Sequence, residues 1–121
     1  MFETLRFSWR FFRARLREIK ADFRGSAALL DQGPVPERYR SLRDAYRLRM
    51  LVLAHAPEQG PEIIQAAEAL DWFREPQSAG DEYARDYCRY FAAGVRGDVP
   101  ECEQRARELR ARSVKRVYRN A

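Results

Sequence analysis

Between Phe2 and Phe23 seven large apolar residues recur at alternating spacings of three and four: Phe2, Leu5, Trp9, Phe12, Leu16, Ile19 and Phe23. That spacing puts all seven on one stripe of an α-helix. At about 100° per residue, Phe7 and Phe11 fall on the opposite side, and Ala14 extends their row. Arg10, Arg17 and Arg24 run down one flank between the two faces, Arg15 lies on the other, and Arg6, Arg13 and Lys20 border the main stripe. A helix with two apolar faces closes its own core with one and offers the other elsewhere. The longer stripe is expected to be the core face. The second face, Phe7 and Phe11 with Arg10, Arg15 and Arg17 around them, is the expected partner-binding surface.

The rest of the chain reads as helix. Its 121 residues suffice for one domain with one core. No segment alternates apolar and polar residues long enough for a strand. Proline precedes glutamate at Pro36-Glu37, Pro57-Glu58, Pro61-Glu62 and Pro100-Glu101. Proline tolerates a first helical turn and an early acid suits the positive dipole end, so each pair marks a helix start. Gly25, Gly33, Gly60, Gly80 and Gly97 stand where helices should stop or turn. The expectation is all-α: a single compact domain, 1–121, of about five helices packed as hairpins. The long amphipathic N-terminal helix covers 1–24, Ser26–Gln32 is a turn or short helix, and a bundle over 36–118 has helices near 36–55, 61–75, 81–95 and 100–118. The second half of the 36–55 helix is apolar nearly all round and should enter the centre of the fold. In the 61–75 helix, Ile63, Ala66, Ala67, Leu70 and Phe73 form the expected core stripe, with Ile64 and Trp72 off that line.

Charge is spread unevenly. Residues 1–56 carry 12 basic and 6 acidic groups, 57–100 carry 4 and 9, and 101–121 carry 7 and 3. Such asymmetry suits surfaces with different roles. Arg40, Arg43 and Arg47 form a helical row with Tyr39 and Tyr46 placed to stack, which makes them a candidate nucleic-acid-binding set. The arginines of the last helix circle it rather than lining one face.

Several functions find no support. The longest apolar run, Met50–Ala54, is far short of the about 20 residues that span a bilayer. Arginines interrupt the N-terminal segment, so no secretory signal is expected. Two cysteines, Cys88 and Cys102, on different helices and without a secretion signal are expected as free thiols in a reducing, cytoplasmic setting. A single histidine, His55, rules out a multi-histidine metal site and suits a helix C-terminus. No paired carboxylates converge, no nucleophile stands beside a base, and no glycine-rich phosphate loop is present. No catalytic, metal-binding or cofactor-binding residues are expected.

The sequence therefore predicts a non-catalytic adaptor or accessory subunit that docks onto a protein partner through its N-terminal helix, in an assembly that includes membrane-associated ones. Attachment of the same helix to an anionic membrane surface at the cytoplasmic face is one alternative, and nucleic-acid binding is another. The heptad seam also permits a homodimer.

Overall fold

A computed structural model describes residues 2–55 and 57–112. Among them are seven α-helices and no strand: α1 Phe2–Ile19, α2 Phe23–Leu30, α3 Arg40–Ala54, α4 Gly60–Glu68, α5 Asp71–Arg74, α6 Ala79–Arg96 and α7 Val99–Arg110. Short 3-10 turns at Glu37–Tyr39 and Pro57–Gln59 lead into α3 and α4. All four Pro-Glu pairs open a helical segment, in a 3-10 turn for the first two and in the first turn of α4 and α7 for the others. Residues 113–118 of the last predicted helix lie outside the described residues.

Seven helices replace about five because two predicted helices break where no glycine or proline announces it. The first stops at Ile19. Ala21 adopts a left-handed φ of 59°, its N–H bonds to the Glu18 carbonyl at 2.8 Å, and the Asp22 N–H reaches back to the Arg17 carbonyl at 2.8 Å. This is a Schellman cap with alanine at the position glycine usually fills. Asp22 then caps α2, its side chain accepting from the Gly25 N–H at 2.9 Å. Gly25 is consequently the start of a helix rather than the end of one. The second break falls at Ala69 and Leu70, where Leu70 turns extended and re-aims α5. Gly97 ends α6 at φ 77° and Asp98 caps α7 as expected, whereas Gly60 and Gly80 lie within the first turns of α4 and α6.

Helix α3 lies at the centre. Its Ala45 and Leu48 join Ile64 and Ala67 of α4, Trp72 of α5, and Ala84, Cys88 and Ala92 of α6 in one apolar cluster. Tyr46 and Met50 of α3 join Ala14 of α1 and Ala27, Leu29 and Leu30 of α2 in a second. The nearly all-round apolar character of α3 thus has a cause: it is the shared wall of two cores. On α6 the small residues Gly80, Ala84, Cys88 and Ala92 face inward at four-residue spacing and admit the neighbouring helices closely. Trp72, 2 % exposed, donates Nε1–H to Asp44 at 2.8 Å, and Asp71 pairs with Arg40 at 2.9 Å, so α5 is latched to α3. The break at Leu70 also changes the expected core stripe of this region. Ile64, Ala67 and Trp72 are buried, whereas Ala66 and Leu70 are exposed.

The α1–α2 turn generates a prediction. Ala21→Gly removes the cost of a Cβ at positive φ and should raise unfolding stability by about 1 kcal/mol. Gly25→Ala should lower it, because the new Cβ would collide with the Asp22 carboxylate and displace the cap. Chemical denaturation of the two variants measures both signs.

Candidate functional site

Helix α1 meets the rest of the chain with the face opposite to the one its hydrophobic count favours. Phe7 is 4 % exposed and Ala14 fully buried, with Phe11 half-buried between them. Phe7 stacks on Tyr39 at a centroid distance of 5.5 Å, and Phe11 packs against Tyr46 at 4.9 Å. Ala14 lies in the same cluster as Ala27, Leu29 and Leu30 of α2, the helix running beside α1. One turn further on, Glu18 accepts a hydrogen bond from the Tyr46 hydroxyl and pairs with Arg49 at 2.9 Å. Arg49 also donates to the Tyr87 hydroxyl at 3.4 Å, which links α1 through α3 to α6.

Phe7 and Phe11 are therefore core residues, and the expectation that they meet a partner is corrected. The physical reason is the company they keep. Their face carries alanine, which lets α2 approach, and Glu18, whose partners lie inside the fold. The arginines assigned with them have separate fates. Arg10 donates to the Pro34 carbonyl and lies over the Phe7 ring, Arg17 pairs with Asp22 at 3.2 Å, and Arg15 stays exposed at the edge of a cleft. Burial, with Arg43 nearby, lowers the Arg10 pKa.

The longer stripe faces outward. Phe2, Leu5, Trp9, Phe12, Leu16 and Ile19 are 43–79 % exposed, and they make up six of the nine exposed large apolar side chains among the described residues. Trp9 and Phe12 stack on one another at 5.8 Å. Phe23 leaves the stripe because the break at residues 20–22 carries it into α2, where it packs on the inner cluster. An apolar strip this long on a helix surface is the kind of patch that marks an interaction site. Arg6 and Arg13 border it, and with Lys20 beyond the helix end they make no ion pair among the described residues.

The arginine row on α3 is spent internally. Arg40 pairs with Asp71 at 2.9 Å, Arg43 with Asp44 at 2.8 Å and Arg47 with Asp31 at 2.7 Å. Tyr39 stacks on Phe7, and Tyr46 is buried and bonded to Glu18. The set does not form the open phosphate-facing surface expected of it, because each guanidinium already faces a carboxylate of this chain.

Comparison with protein-family models, curated proteins and solved structures finds no match to this chain.

Two further features bear on chemistry. A cleft of about 350 Å³ lies between α1, α3 and α6, walled by Phe11, Leu42, Ala45 and Ala84, with Glu18 and Arg49 already paired across it. Cys88 is buried, and desolvation, reinforced by Asp44 and Glu68, pushes its thiol up to about 12; Cys102 is half-buried, and both cysteines are free. His55 stands at the C-cap of α3, as its sequence position suggested. Among the described residues no group of three His, Cys, Asp or Glu could hold a metal ion, and no helix is long and apolar enough to cross a membrane.

The Glu18 network predicts a pH response. Burial, then the hydrogen bond to Glu18, raises the Tyr46 pKa well above its ordinary value of 10.0. The folded state thus holds the phenol proton that the unfolded chain releases, so this contribution is intact below pH 10 and declines as pH rises beyond it. Burial raises Tyr83 and Tyr87 in the same direction. Denaturation as a function of pH should show stability falling above pH 10, with a shallower fall in Tyr46→Phe.

Proposed function

We propose that this chain is a non-catalytic accessory protein whose attachment element is the outward face of α1. The surface it fits is apolar along its centre and anionic at its edge. The observation that supports this reading is the placement of Phe2, Leu5, Trp9, Phe12, Leu16 and Ile19 in solvent on one face of a helix held by its other face. Burying a large apolar side chain stabilises by roughly 1.5–3 kcal/mol, so leaving six of them in water makes sense in a protein that covers them when it works. The adaptor role expected from the sequence keeps its helix and exchanges its residues: Trp9 and Phe12 take the place of Phe7 and Phe11.

Division of labour between the two faces gives the test. Phe7→Ser should cost about 3–5 kcal/mol of stability, as a large-to-small core change does. Trp9→Ser combined with Phe12→Ser should change stability by no more than about 0.5 kcal/mol per site. The double variant should nonetheless leave the high-molecular-weight fraction of a native extract in which the wild type travels. Equal loss of stability on both faces would place the stripe in the core and end this reading.

A further inference from the structure

We infer that the surface covered by the outward stripe of α1 is an anionic lipid bilayer, with α1 lying in the plane of the interface. The inference rests on the attachment role proposed above and names its occupant.

Charge selects the occupant first. Residues 2–20 carry five arginines, one lysine and two acids, and Glu18 is turned inward to Tyr46 and Arg49, leaving Glu3 as the acid on the exposed side. Elsewhere in the fold most arginines at helix interfaces have carboxylate partners, as Arg40, Arg47 and Arg112 do with Asp71, Asp31 and Asp86. Arg6, Arg13 and Lys20 have none among the described residues, and Arg6 and Arg13 flank the apolar strip. Exposed apolar side chains edged by unpaired cations match a surface whose apolar interior begins just beneath a layer of phosphates. A second copy of this chain would set the cationic edge against itself, which opposes pairing through this face.

Shape selects it second. The stripe runs the length of an 18-residue helix, about 27 Å. It stands on an outward helix face, with α2 the helix that runs beside α1. Trp9 sits near its middle and pairs an apolar ring with an indole N–H, the combination favoured at headgroup level. Residues 57–100 carry nine acids against four cations, and their helices α4 and α5 pack on α3 and α6. Charge is thus uneven along the chain, basic along α1 and acidic over 57–100, and an anionic surface would attract α1 in preference to that segment.

Flotation with vesicles of phosphatidylcholine alone, or with about one third phosphatidylglycerol, tests this directly. The 121-residue chain should bind the anionic vesicles at least about tenfold more tightly than the neutral ones, and less tightly as salt rises. Trp9→Ser/Phe12→Ser should lose flotation while keeping its unfolding midpoint, and Arg6→Glu/Arg13→Glu should lose the anionic preference. Flotation that survives in the Trp9/Phe12 variant overturns the inference, as does failure of the wild type to bind anionic vesicles. In that second case velocity sedimentation separates the two readings. A dimer, or a complex with a soluble protein, that dissociates on Trp9→Ser/Phe12→Ser leaves the attachment role standing with a protein occupant. A monomer with no complex in either form removes the attachment role as well.

Discussion

The rotation of α1 about its own axis depends on Glu18. Its carboxylate takes a hydrogen bond from Tyr46 and an ion pair from Arg49, both carried by the central helix. A carboxylate held by a phenol and a guanidinium has a defined direction, unlike a leucine, which packs acceptably against many neighbours. With Glu18 pointing inward, Ala14 and Phe7 follow on the same face, and the Leu5–Trp9–Phe12–Leu16 stripe has only solvent before it. Turning the stripe inward would carry Glu18 away from both partners and leave Tyr46 and Arg49 in a half-buried site without their acid. Such a loss is expensive in a low-dielectric setting. A polar network thus decides which of two apolar faces becomes core.

The arrangement separates the folding contacts of α1 from its exposed apolar stripe. The inner face places Ala14 in a cluster built mainly by α2 and α3, with Phe11 packed against it and Phe7 stacked on Tyr39. The second cluster, across α3, is built by α4, α5 and α6 and includes no residue of α1. Substitutions on the outer stripe therefore reach neither core directly.

Much of this architecture was legible in the chain. The helical class, the Pro-Glu starts, the Gly97 stop and the central position of α3 follow from local chemistry that the structure uses as expected. The misreadings share a cause. Hydrophobic count assigns the richer face to the core, and it did so for both α1 and the 61–75 segment. On α1 the count missed that Ala14 and Glu18 bring partners the richer face lacks. In the 61–75 segment it assumed one continuous helix, whereas the break at Leu70 shifts the phase and buries Trp72 instead. The break after Ile19 was hidden because alanine occupies a left-handed position that glycine would have advertised. The signal for it was Asp22, an N-cap three residues before Gly25, read as part of a longer helix. The arginine row of α3 looks open in the sequence because its acidic partners, Asp31 and Asp71, are distant in sequence from Arg47 and Arg40.

Helix α1 turns Trp9 out and Phe7 in. The most direct measurement is acrylamide quenching of tryptophan fluorescence in the wild type and in Trp9→Phe. Trp9 is 61 % exposed and Trp72 is 2 % exposed. Two emitting populations are expected in the wild type, one red-shifted and readily quenched, with the loss of that population alone in Trp9→Phe. A wild type in which both tryptophans resist quenching alike would mean that the stripe lies inside the fold and that α1 is rotated the other way about its axis.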